Sequence, residues 1–169
     1  MGATRGKESV VFVVDDDPAI RDSLKFLFQS VGLSTLVFAS SAHFLQDELP
    51  DVPSCLVVDV RLPGLSGLEL QTELAKANNR IPIIIITGHG DIRMAAMAMK
   101  AGAVDFLQKP FRDQDMLDAV RLGIERDRAR REVEKSIHDI QVRYASLTPR
   151  EREVMGFVAA GFMNKQIAS

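Results

Sequence analysis

Residues 55–67 read CLVVDVRLPGLSG, and the fold of the whole chain follows from how this stretch is read. The apolar run at 55–59 is too short for a helix, and Pro63, Gly64 and Gly67 close it with turn chemistry. It predicts a buried parallel strand. Asp59 then sits where that strand runs out. In an open doubly wound α/β sheet ligands gather beyond the carboxyl ends of the strands, so a carboxylate at this point is placed for chemistry.

Four further apolar runs share the pattern. Residues 10–14, VVFVV, stop at Asp15, Asp16 and Asp17, and Pro18 suits the first turn of a helix carrying Ile20, Leu24, Leu27, Phe28 and Val31 up to Gly32. Residues 33–38 give another strand, and Ser41 is expected to cap a short helix over 42–49. Ser66 caps the helix after the Asp59 turn, with Leu68, Leu70 and Leu74 on its inner face. The β-branched run 83–86 predicts a strand buried on both faces that ends at Thr87. Asp91 opens a helix rich in Ala and Met, closed by Gly102. Residues 105–108 form a fifth strand before Lys109-Pro110-Phe111, and a last helix from Asp113 turns Leu117, Val120 and Ile124 inward. Five βα units imply an α/β fold: a doubly wound, five-stranded parallel sheet of flavodoxin-like order 2-1-3-4-5 with right-handed crossovers.

Past Ile124 the composition turns to alternating charge, ERDRARREVEK. The expected organisation is therefore a disordered stretch at 1–9, a core domain at 10–124, a linker helix at 125–146 and a partial all-α helix-turn-helix piece at 147–169. Val133, Ile137, Ile140, Tyr144 and Leu147 recur at heptad spacing, but over barely two heptads, so a solvated linker helix and a dimerising one both stay open. Thr148-Pro149-Arg150-Glu151 is a capping box that restarts a helix, with Val154, Phe157 and Val158 inward, an end at Gly161 and a new cap at Asn164.

The chain has 169 residues, 46% of them apolar, and a formal net charge of −2. That is enough for a packed core and too little positive charge for bulk binding to nucleic acid or an anionic membrane. The single cysteine, Cys55, excludes an internal disulfide and fits a reducing cytoplasm, where a thiol inside an apolar strand is a small buried hydrophobe. No apolar run approaches the roughly 18 residues needed to span a bilayer, and residues 1–9 lack a signal core.

With strands 1, 3, 4 and 5 adjacent, their ends bring together Asp15, Asp16, Asp59, Thr87 and Lys109. Carboxylates crowded in one cleft raise one another's pKa unless a cation sits among them, and a hard divalent ion such as Mg²⁺ is the natural solution. Asp59 is then the candidate nucleophile toward phosphorus, with Lys109 and Thr87 toward the phosphoryl oxygens. Taken singly, the acids favour a helix N-terminus, and Thr87 and Lys109 are ordinary strand-end residues. Jointly they form the polar set a phosphoryl site needs.

The segments VVDDDPAIR, LVVDVRLPGLSGLEL, IIIITGHGD and KAGAVDFLQKPF resemble the receiver domain of two-component response regulators, over roughly residues 10–123. The resemblance implies phosphorylation of Asp59 by a sensor histidine kinase. It further implies Mg²⁺ held by Asp15, Asp16, Asp59 and the backbone carbonyl of Arg61, sensing of the phosphoryl group by Thr87 and Lys109, and a cis bond before Pro110. Phe106 stands at the family's switch aromatic, often Tyr, without the hydroxyl. LTPREREVMGFVAAGFMNKQIAS is similar to the opening of the LuxR-type output domain of the NarL/FixJ class, which implies transcription control. The recognition helix that the family needs is missing from this sequence, so DNA contacts are expected of a full-length protein and not specifically of this piece.

The Met/Ala helix, fifth strand and last core helix offer a Met-rich face that repacks readily, and this face is the expected dimer or output contact, with a phosphorylation-dependent homodimer expected. An aspartyl phosphotransferase enzyme would place a general acid two residues after Asp59, where this chain has Arg61, so no enzyme is expected. A dinucleotide site needs GxGxxG where the first turn reads DDDPAIR. The histidines are scattered, and only His89 is near enough to the site to affect phosphoryl lifetime.

Overall fold

The computed structural model describes residues 8–88 and 91–168, the last seven as backbone only. His89 and most of the expected disordered N-terminus therefore lie outside the described residues. The chain divides into two units, Met1–Ala129 and Arg130–Ser169.

The first unit is the expected doubly wound sheet. Strands β1 (Val10–Val14), β2 (Ser34–Phe38), β3 (Ser54–Asp59), β4 (Ile83–Thr87) and β5 (Asp105–Gln108) pair in parallel in the order β2-β1-β3-β4-β5. Helices α1 (Pro18–Ser30), α2 (Ser41–Gln46), α3 (Gly67–Lys76), α4 (Ile92–Lys100) and the start of α5 (Asp113–Ser146) alternate with them. Because side chains alternate along a strand, the sheet has two apolar faces. Val11, Val13, Cys55, Val57, Ile84 and Ile86 pack with Leu24 and Phe28 of α1 and with Met116, Val120 and Ile124 of α5. Phe12, Val14, Leu56, Val58 and Ile85 pack on the other face with Phe44, Leu70, Leu74 and Ala98. There Phe12, Phe38 and Phe44 meet with ring centroids 5.4–6.4 Å apart, two of the three pairs edge to face.

Several local expectations need correction. Ser40, not Ser41, caps α2 by accepting from the His43 N–H, while Ser41 is buried and donates to the Leu65 carbonyl. The helix ends at Gln46, short of Leu49, because Asp47 is extended ahead of Pro50. Val31 lies past the end of α1 and is exposed. A further anchor carries no apolar signal at all. Asp127, three residues past the expected domain end at 124, is buried and accepts the Ser54 N–H at 2.9 Å.

In the second unit, Val133, Ile137, Ile140 and Tyr144 of α5 are exposed. The capping box forms, with the Glu151 N–H donating to Thr148 Oγ1 at 3.2 Å. Helix α6 (Pro149–Ala168) then runs through Gly161 and Asn164 without the expected break. Val154, Phe157 and Val158 are exposed instead of inward. An interior Gly costs a helix only about 1 kcal/mol, so without a packed surface to reward a turn, propagation wins.

At Gly123 helix α5 lies close against β3, and an added Cβ there would lie 2.7 Å from Cys55 Sγ. Gly123→Ala should lower unfolding free energy by about 1–3 kcal/mol. Combining it with Cys55→Ala should recover part of that loss, as read by urea denaturation of the two single variants and the double.

Candidate functional site

Strand register sets the site. Val14 lies opposite Val58, so Asp15 follows level with Asp59, and Thr87 lies opposite Gln108, one residue before Lys109. The Lys109 N–H donates to the Thr87 carbonyl at 2.7 Å, tying the ends of β4 and β5 together. These backbone bonds bring the ends of β1, β3, β4 and β5 to one edge of the sheet.

Lys109 Nζ lies 2.9 Å from Asp15 Oδ2 and 2.9 Å from Asp59 Oδ2. The second oxygen of Asp59 accepts the Arg61 N–H at 3.1 Å, and the second oxygen of Asp15 accepts the Asp17 N–H at 2.9 Å. Asp15 is fully buried, Asp59 nearly so, and Asp16 is exposed. One ligand oxygen from each of Asp15, Asp16 and Asp59 falls within 4.8 Å of the others. Thr87 is fully buried at its strand end. The Phe106 ring is half-buried against the core face that holds Val58 and Ile85. The Lys109-Pro110 bond is cis.

The triple acid at the end of β1 divides into separate roles. Asp17 caps α1 through the Ala19 N–H, Asp15 turns toward Lys109, and Asp16 faces solvent. Arg21 adds a contact that sequence reasoning missed: its guanidinium donates to the Asp15 carbonyl at 2.8 Å. Its position one turn after Asp17 on a helix starting at the strand end was the available signal. Gly67 is a second spatial requirement. Its N–H donates to the Val60 carbonyl, and a Cβ there would run into the Asp59 carbonyl and come within 3.1 Å of Val60 Cα.

Burial pushes the Asp15 carboxyl above its ordinary range, against the opposing pull of the Asp17 N–H and Lys109. For Lys109, burial works against the ammonium, but hydrogen bonds to Asp15 and Asp59 outweigh it and raise the pKa. One ammonium against three carboxylates leaves negative charge over. Hard oxygens at this spacing, with one acid open to water, suit a hard, partly hydrated divalent cation.

A family model described as "Response regulator receiver domain" matches residues 11–121, and "Bacterial regulatory proteins, luxR family" matches residues 145–169. The chain belongs to the response regulator family. This regulator is 58% identical over 162 residues to Nodulation protein W of Bradyrhizobium diazoefficiens, spanning 96% of this chain and 71% of that one. It is 45% identical over 159 residues to Transcriptional regulatory protein FixJ of the same organism, spanning 94% of this chain and 77% of FixJ. Among solved structures, the response regulator StyR superposes with a TM-score of 0.85 at 43% identity, covering 95% of this chain and 81% of StyR. The regulator thus joins a two-component receiver to luxR-type helix-turn-helix sequence, in a family of transcriptional regulators rather than classical enzymes. Receiver domains of this family bind Mg²⁺ at an acidic pocket, and the regulator carries such an acid cluster at Asp15, Asp16 and Asp59. Among the described residues no helix is long and apolar enough to cross a membrane.

A carboxyl whose pKa is raised by folding favours the fold when protonated, and that contribution is lost as pH rises through the raised value. Ionised Asp15 is therefore a cost at neutral pH in chelator. Asp15→Asn should unfold at higher urea than the parent at pH 7 without divalent ions. The gap should narrow as pH falls through the carboxylate range, as followed by denaturation at stepped pH.

Proposed function

We propose that the regulator accepts a phosphoryl group on Asp59 from a sensor histidine kinase in the cytoplasm and, in its full-length form, uses the charge to control transcription through its helix-turn-helix domain. The observation that carries this is the Lys109 ammonium at 2.9 Å from both Asp15 and Asp59. It holds the acceptor carboxylate in place at the edge of an acid cluster that has room for one hard cation. We assign residues 10–124 to the receiver, 125–146 to a linker helix whose first turn stays anchored to the receiver through Asp127, and 147–169 to the start of the output domain.

In the proposed step an Asp59 carboxylate oxygen bonds to phosphorus as the donor's P–N bond breaks, giving an acyl phosphate. Asp15, Asp16, Asp59 and the Arg61 carbonyl would hold Mg²⁺, which supplies positive charge to the phosphoryl oxygens when bound. Lys109 keeps its proton, donates to the group on Asp59 and steadies its charge. The Thr87 hydroxyl, on the neighbouring strand end, donates to a phosphoryl oxygen, and Phe106 turns inward behind it. The phosphoryl group adds about −1.5 to −2 charges. Moving a two-state receiver from mostly resting to mostly active takes about 5.5 kcal/mol of preference for the active form. Exposed Ile92, Met97 and Met99 on α4 provide the surface for homodimerisation.

Incubation with acetyl phosphate and Mg²⁺ should add the mass of one phosphoryl group, mapped to Asp59 and absent from Asp59→Asn or in excess chelator. Labelling that survives Asp59→Asn would overturn the assignment. In sedimentation velocity, beryllofluoride with Mg²⁺ should shift the parent from monomer toward dimer and leave Asp59→Asn unmoved.

A further inference from the structure

Among the polar side chains buried in the first unit and not used by the site, one lies on α3 and reaches across to α4. Gln71 is 5% exposed and its amide donates to the Ala98 carbonyl in α4 at 3.0 Å. Ala98 is itself fully buried, and the same carbonyl also accepts the Ala103 N–H that closes the C-terminal turn of α4. Both lone pairs of this oxygen are thus spoken for, one by the helix end and one by the neighbouring helix.

We propose that Gln71 is a positioning residue that latches α4 in its resting place, so that the latch sets how readily the receiver switches. The inference rests on the proposed role of Asp59 and adds a regulatory element to it. Helix α3 cannot follow a shift of α4, because its first turn is fixed to the acceptor loop: Gly67 bonds to the Val60 carbonyl and lies against the Asp59 backbone. Any sliding of α4 along α3 must therefore break the Gln71 bond and leave a buried amide unpaired. A buried donor without an acceptor is costly, so the bond favours the resting arrangement specifically. The rest of α4 is held lightly. Ala98 is its one fully buried side chain, and Ile92, Met97 and Met99 are exposed.

The test uses the whole chain with Gln71→Met, which keeps the volume and removes the amide, and Gln71→Glu, which replaces the donor with an acceptor. Leu74→Val, a core truncation on the same helix, is the control for simple loss of stability. In hydrogen exchange without any phosphoryl mimic, amides of residues 98–104 should exchange roughly three- to tenfold faster in Gln71→Met than in the parent, as expected for loss of one net hydrogen bond. Leu74→Val should not single out this segment. Gln71→Met should also bind beryllofluoride with Mg²⁺ more tightly by a similar factor, since less resting-state preference has to be overcome. Exchange over 98–104 that matches the parent or Leu74→Val, with unchanged beryllofluoride affinity, overturns the latch. A parent chain that fails to bind beryllofluoride at Asp59 overturns the proposed function instead, and the exchange comparison still decides the latch.

Discussion

The acid cluster at the strand ends depends on one electrostatic arrangement, the Lys109 ammonium held 2.9 Å from the carboxylates of Asp15 and Asp59. Three acids from two strand ends cannot share a partly buried pocket unless positive charge is supplied. Lys109 supplies part of it from a third strand. It is an intermediate solution, because one ammonium against three carboxylates leaves negative charge over, as a site suited to a hard cation requires. A site that were fully neutralised by the protein would have no use for a divalent ion. One left wholly unpaired would destabilise the sheet that positions it. The raised pKa of Asp15 and that of Lys109 are two signs of this balance: burial opposes both charges, and only for the lysine does pairing win.

Rigid presentation follows from the register of a parallel sheet whose three central strands are buried throughout. A slip of one residue in β3 would turn every side chain of the strand to the other face, misplacing Asp59 and taking Leu56 and Val58 out of the core they share with Phe12. The position of Asp59 is therefore enforced by the whole apolar content of the strand. The loop beyond it is fixed as well, by Gly67, which lets α3 start against the Asp59 backbone where any side chain would collide. Function here uses the same packing that makes the fold stable.

These features differ in how far sequence discloses them. Five apolar runs, each ended by a polar residue, predict both sheet order and the convergence of Asp15, Asp16, Asp59, Thr87 and Lys109, because strand periodicity and crossover handedness leave little freedom. Interior polar side chains are another matter. Gln71 and Asp127 sit on helices where their polarity suggests solvent, yet both are buried against backbone groups of distant elements. Only the three-dimensional path shows that the Ser54 N–H meets Asp127 and that the Ala98 carbonyl takes Gln71 as its second donor. Helix α6 fails in the opposite sense. Gly161 and Asn164 are genuine break signals, but a break forms only where packing rewards it, and the apolar side chains before it are exposed.

If Asp59 takes the phosphoryl group as proposed, two physical routes connect it to α4. One runs across the sheet through the ends of β4 and β5, where the Lys109 N–H is bonded to the Thr87 carbonyl. The other runs over the surface of the sheet through Gly67 and α3 to Gln71 and the Ala98 carbonyl. They act with opposite sign. A charge at Asp59 attracts the donors of the first route and so favours rearrangement, whereas the second is fixed in length and resists it. A switch needs both, since attraction alone would drift continuously and a fixed strut alone would never move. Where a single buried hydrogen bond must break before the attraction is satisfied, the response becomes a choice between two packed states, and this is the condition under which a local charge can have a distant effect.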